Sequence, residues 1–215
     1  MSQPRLVIFD FDGTLADSYP WFAAELSVLA RRWRFRSVSD EEHEPLRLLS
    51  ASAIMDHLGV PAWKRPMLAA DMRRRMSRDI ASIGLFDGVG SMLHALATAG
   101  LRIGIVSSNA QRNVDTVLGA DLRALIDHCS FGAAISSKHG RLRRLQRRAG
   151  LVASEVIYIG DEIRDIVAAR RAGIAAGAVT WGYNRAAALR RYGPDLVFDE
   201  VAEIAARLID SEPGD

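Results

Sequence analysis

Short apolar runs rich in β-branched residues alternate with helical segments along most of this chain, and that alternation narrows the fold more than any other feature. Arg5–Phe9 (RLVIF) reads as a buried strand closed by Asp10 and an Asp12-Gly13 turn. Arg102–Val106, Phe131–Ile135 (weaker), Val156–Ile159, Ala176–Thr180 and Leu196–Phe198 read as further strands. Between and after them the pattern predicts helices over Val89–Ala99, Arg112–Leu118, Gly140–Ala149, Arg164–Ala172, Ala186–Arg191 and Val201–Ile209. Gly100, Gly150 and Gly173 supply three of the stops. Strands and helices of these lengths in strict alternation imply an α/β fold, a parallel sheet with helices on both faces. Residues 20–83 break the pattern: apolar positions recur at helical spacing with no convincing strand, which predicts an all-helical insert. Asp210–Asp215 reads as a frayed tail.

With 215 residues, 49% of them hydrophobic and 25% charged, the chain can build a proper core. No apolar run approaches the ~20 residues that span a bilayer. The single cysteine, Cys129, excludes an internal disulfide framework and a cysteine-based zinc site. These features point to a cytoplasmic protein without a membrane or nucleic-acid partner. The net charge of +2 is too small to imply an anionic partner. Arg141–Arg148 is arginine-dense, but Leu142 and Leu145 make it an amphipathic helix with a solvated basic face. The basic residues comprise 26 Arg and only 2 Lys, Lys64 and Lys138. Where arginine would serve, this chain uses arginine, so a retained lysine draws notice.

In parallel sheets, ligands bind beyond the carboxyl ends of the strands near the point where strand order reverses. Three of the strands end in polar clusters at that edge. Asp10-Phe-Asp12-Gly13-Thr14 offers one carboxylate to attack and another to shuttle a proton. Gly13 permits close backbone approach or positive φ, and the N–H groups there are a candidate anion nest. The bland alternative is a strand running into a tight turn. Ser107, Ser108 and Asn109 close the second strand and suit a phosphoryl oxygen, or equally a helix N-cap. Lys138 is a compact positive charge for a phosphoryl group. Gly160-Asp161-Glu162-Ile-Arg-Asp165 places two carboxylates four residues apart on one helical face, a donor set for Mg²⁺ or else an acidic helix N-terminus.

DFDGT, then a hydroxyl after the second strand, then a lysine, then GDxxxD, in this order over nearly the whole chain, resembles the haloacid dehalogenase superfamily of phosphotransferases. The GDEIRDIVAARRAGI and VTWGYN segments look most like its phosphoglycolate-phosphatase-like branch. The resemblance implies a Rossmann-like core over residues 1–19 and 84–215 and a helical C1 cap over 20–83. It makes Asp10 the nucleophile and Asp12 the general acid and then base. Ser107 and Lys138 become phosphoryl ligands, with Gly13, Thr14, Ser108 and Asn109 around them. Asp10, the Asp12 carbonyl and Asp161 become Mg²⁺ ligands, with Asp165 and Glu162 in support. The implied activity is a Mg²⁺-dependent phosphatase acting on a small phosphorylated metabolite through an aspartyl-phosphate, as a monomer or homodimer.

Specificity is expected from a cap loop near Leu46–Ala53, with Arg47 the first candidate for a second anionic group and Lys64 and Arg65 the next. Arg73-Arg74-Arg75 spreads around a helix and reads as solvated. Two alternatives remain. Phosphomutases of the superfamily carry a histidine where this chain has Phe22. A signalling phosphoacceptor would share the aspartate, hydroxyl, lysine and metal but has no use for Asp12 or a cap.

Overall fold

The computed structural model describes residues 3–132 and 137–209. Its centre is a parallel sheet of β1 (Leu6–Phe9), β2 (Arg102–Val106), β3 (His128–Ser130), β4 (Val156–Gly160), β5 (Ala175–Val179) and β6 (Leu196–Phe198). Their order across the sheet is β3-β2-β1-β4-β5-β6, so the order reverses between β1 and β4. Alternation along β1 assigns side chains to the two faces. Val7 and Phe9 enter a cluster with Ile103, Ile105, Ile157 and Ile159, covered by α5 (Val89–Thr98), α6 (Gln111–Ala124) and α10 (Val201–Ile209). Leu6 and Ile8 enter the opposite cluster with Tyr158 and Ala176, covered by α7 (Lys138–Arg148), α8 (Ile163–Ala172) and α9 (Ala186–Arg191).

The helical segment forms α1 (Tyr19–Trp33), α2 (Asp40–Leu46), α3 (Ala51–His57) and α4 (Arg65–Asp79), with short 3₁₀ turns at Ala62–Lys64 and Ile80–Ser82. It has an apolar cluster of its own around Leu26, Leu29, Leu58 and Leu68. The chain enters and leaves it side by side: Ala16 bridges Leu85, and the Asp17 amide donates to the Gly84 carbonyl at 2.9 Å.

Three expectations shift. The weak strand expected at Phe131–Ile135 forms earlier, at His128–Ser130, and residues 133–135 of that expectation lie outside the described residues. β3 is an edge strand paired only with Gly104–Val106, so backbone partners set its place and polar His128 and Ser130 are tolerated. The helix expected over Arg112–Leu118 runs on to Ala124 across a kink at Gly119. Asp161 precedes α8, which begins at Ile163, so it reaches Asp165 from a loop and not from the same helical face. The expected tail, 210–215, lies outside the described residues.

Candidate active site

The carboxyl ends of β1, β2 and β4 bring Asp10, Ser107 and Asp161 to one crevice beside the β1/β4 reversal. Asp10 is held from two sides: its Oδ1 accepts the Phe11 amide at 2.9 Å, and its Oδ2 accepts Lys138 Nζ at 2.7 Å. Lys138 opens α7 and donates also to Asp165 Oδ1 at 2.5 Å. Burial pulls the ammonium pKa down, but Asp10 and Asp165 together outweigh it, so the ammonium stays charged. Asp165 does two jobs. Its Oδ2 accepts the Glu162 amide at 3.0 Å, capping α8, while Oδ1 takes Lys138 and the Tyr158 hydroxyl. Asp165 therefore caps α8 and bonds Lys138 at the same time.

Asp161 is fully buried. Its Oδ1 accepts the Thr14 hydroxyl at 2.8 Å and its Oδ2 the Tyr183 amide at 2.7 Å. Burial, with Glu162, Asp165 and Asp10 nearby, pushes its carboxyl well above the usual range. Oxygens of Asp10, Asp161 and Asp165 lie within 4.8 Å of one another. An all-oxygen donor set of three buried carboxylates, only partly offset by Lys138, suits a hard divalent cation. Asp165 accepts three bonds where Asp10 and Asp161 accept two each, so more acceptor capacity is left on Asp10 and Asp161. Gly13, at φ +77°, lies against this cluster; a Cβ there would come within 2.2 Å of Asp161 Oδ2. Gly182 is packed as closely on the other side, where a Cβ would meet the Gly13 carbonyl at 2.3 Å.

Asp12 stands apart from Lys138. Both of its oxygens accept Asn109 Nδ2, at 3.1 and 3.3 Å. Burial and then the charge of Asp10 push its carboxyl up to about 7, so it holds or releases a proton near neutral pH. Asn109 is itself fixed by Asn113 and touches Met76 Sδ of α4 at 3.2 Å. The Ser107 hydroxyl accepts the Asn109 amide at 3.0 Å, shaping the loop, while Ser108 faces the cavity. The helix that follows is N-capped by neither Ser107 nor Asn109: its cap is Ala110, without a side-chain bond.

A cavity of about 400 Å³ runs from Asp12, Ser108 and Asn109 into the helical segment. Of the three candidates in the helical segment, Arg47 and Lys64 donate to backbone carbonyls and Arg65 pairs with Asp56, while Arg47 and Arg65 also line the cavity. Arg47 donates to the carbonyls of Gly182 (2.5 Å) and Tyr183 (3.1 Å) and lies over the Tyr19 ring. Lys64 donates to the Trp33 carbonyl and is absent from the cavity lining. Of the arginine triplet, Arg74 and Arg75 pair with acids of the helical segment and Arg73 lines the cavity. Several contributors went unread in the sequence. Arg141, inside the supposed solvated basic face, is buried and donates to the Ser107 carbonyl at 2.7 Å and to Ser130. Asn184 ties the Ile163 amide to the carbonyls of Arg47 and Leu49. The one available signal was the WGYN run after β5, at the same sheet edge as the motifs.

Residues 7–179 match the model of the haloacid dehalogenase-like hydrolase family. The chain belongs to that family. A phosphoglycolate phosphatase of Synechococcus elongatus is 34% identical, over 93% of this chain and 95% of its own length. One from Xylella fastidiosa is 32% identical, over 84% and 82%. A crystal structure of a predicted phosphatase from Clostridium acetobutylicum superposes with a TM-score of 0.80 at 19% identity, over 97% of this chain and 100% of that one, a likeness of fold. This haloacid dehalogenase-like chain is thus an enzyme with the Rossmann-like α/β core expected of it. Among the described residues, no helix is long and apolar enough to cross a membrane.

Proposed function

We propose that this phosphoric monoester hydrolase acts on a small phosphorylated metabolite through a phosphoaspartate at Asp10, with Mg²⁺ as cofactor. The observation that carries the reading is the placement of Lys138. One ammonium bridges Asp10 and Asp165 while the second carboxyl of the DFDGT segment is held apart by Asn109. Asp10 attacks phosphorus and the bond to the ester oxygen breaks. The proton of Asp12 goes to that leaving oxygen. Water then attacks the phosphoaspartate, gives its proton to Asp12 and frees inorganic phosphate. Burial pushes the Asp10 carboxyl up; Lys138 opposes that push and offsets negative charge on the phosphoryl oxygens. Ser107 and Ser108 would meet the same anion, whereas the amides of Gly13 and Thr14, expected to form an anion nest, donate to the Ala16 and Phe11 carbonyls. Asp165 fixes the ammonium, and Glu162, paired with Arg164, lines the mouth.

Asp10, Asp161 and the Asp12 carbonyl would hold the Mg²⁺, which when bound neutralises charge between the carboxylate and the phosphoryl group. Residues 20–83 serve as a cap that excludes bulk water, hinged at 16–17 and 84–85. Phe22, packed at 5.2 Å on Tyr183, offers no acid or base, which favours hydrolysis over the mutase reading. The relatives named phosphoglycolate phosphatase make short acidic phosphomonoesters the first compounds to assay. Phosphate release from a panel of phosphomonoesters is expected with Mg²⁺, is lost on adding EDTA, and falls more than about 10³-fold in Asp10→Asn. Full activity in that variant refutes the mechanism.

A further inference from the structure

The cavity beyond Asp12 is shaped for more than a phosphoryl group. Asp12, Ser108 and Asn109 line it next to the acid cluster, and charged or polar side chains such as His43, Glu162 and Asn184 line it elsewhere, although most of its lining is apolar. From Asp12 about 400 Å³ extends into the helical segment between Phe22, Leu29, Ile54, Leu68 and Met72. That volume falls in the range, roughly 300–1,000 Å³, of pockets that enclose a whole organic ligand. A two-carbon ester would leave most of it to water held against apolar walls, where water finds few partners.

The cations lining it are nearly all committed. Arg47 is bound to backbone carbonyls, Arg65 to Asp56 and the Val60 carbonyl, and Arg164 to Glu162. Arg73 alone among these lining arginines has no hydrogen bond or ion pair among the described residues. It sits three residues before Met76, which touches Asn109, so it stands about 4.5 Å farther along α4 from that contact. A cation there is placed to meet an acceptor on the part of a ligand that lies along α4.

From this we infer that the preferred substrate is a phosphomonoester with an extended alkyl or aryl group, ending in a single carboxylate or other acceptor that Arg73 receives. The inference rests on the phosphatase reading of the same site and departs from a short dianion as the best substrate.

The test uses the full chain with Mg²⁺ and steady-state phosphate release. The substrates are n-alkyl phosphates from ethyl to octyl, matched ω-carboxyalkyl phosphates and 2-phosphoglycolate. The expected result is a kcat/KM that climbs about threefold to fourfold per methylene until the cavity is full, then levels. Ala23→Phe, which adds a ring to the cavity wall on α1, moves that plateau to shorter chains. Arg73→Met lowers the preference for the carboxylated over the uncharged ester of equal length by tenfold or more. Highest kcat/KM for 2-phosphoglycolate, with a flat response to chain length in the wild type, overturns the inference and leaves the phosphatase intact. An unchanged preference in Arg73→Met, with the variant folded by circular dichroism, overturns the role of Arg73. Release from no ester at all overturns the phosphatase reading, and this one with it.

Discussion

Lys138 faces two buried carboxylates at once, 2.7 Å from Asp10 and 2.5 Å from Asp165, and its shape matters as much as its charge. An ammonium presents three donors around one point, whereas a guanidinium is a planar fork that needs more room. Lys138→Arg is therefore expected to lose at least about 10²-fold in kcat despite keeping the charge, as measured by phosphate release. Activity within a few-fold of wild type in that variant would leave the charge alone as the requirement. The scarcity of lysine in an arginine-rich chain made this residue stand out before any contact was known. Arg47 teaches the opposite lesson. A cation in the cap loop reads as a ligand for an anion, yet its donors go to carbonyls at 182 and 183, more than 130 positions away. How a side chain spends its hydrogen bonds depends on what the fold brings beside it, and no local pattern carries that information.

The packing of α1 against α4 shows how one buried acid ties elements together. Asp71 of α4 accepts Trp33 Nε1 from the end of α1 at 2.9 Å and pairs with Arg32 at 3.1 Å. The indole bond first, and then the arginines, hold its carboxyl below the usual range. A depressed carboxylate stabilises the folded state fully above its unfolded pKa, about 3.9, and loses that contribution as pH falls through the folded value. Asp71→Ala should cost about 1.5–3 kcal/mol at pH 7, and the gap in melting temperature from wild type should close as pH drops from 4 toward 2. A gap independent of pH would mean that packing, not ionisation, sets the cost. The loop after α2 is fastened differently, through Arg47 and Asn184 to the loop after β5. That second loop also donates the Tyr183 amide to Asp161. Arg47→Ala is expected to speed amide exchange by about tenfold or more in both loops, read by hydrogen-exchange mass spectrometry. Exchange altered in the α2 loop alone would separate that loop from the acid cluster. At this scale β2, β4, β5, β6 and the last helices matched their patterns. The edge strand β3 did not, because its position follows from pairing with β2 and not from its own apolarity.

Across the whole molecule, the acid cluster sets folding energy against function. Asp10, Asp161, Asp165 and Glu162 crowd a buried crevice with Lys138 and Arg164 as the nearby cations. Any cation that binds the folded state there and not the unfolded chain stabilises by mass action, about 2.7 kcal/mol at a hundredfold excess over its dissociation constant. Mg²⁺ is accordingly expected to raise the melting temperature of the EDTA-treated protein by several degrees, and Asp161→Asn to abolish most of that rise. An undiminished shift in the variant would move the cation to another set of donors. The sequence by itself determined the alternation of strands and helices, the helical insertion after β1, and the carboxylates and lysine gathered at one sheet edge. Those features are local: a β-branched run, a helical period and a strand-end aspartate each declare themselves within a few residues. Only the tertiary structure decided that Arg47 and Arg141 donate to backbone carbonyls, that Tyr183 and Asn184 join the site, and that the helical segment lines a largely apolar cavity with Arg73 in its wall. Each of these depends on which distant surfaces meet, and packing and hydrogen-bond satisfaction are settled only when the chain has closed on itself.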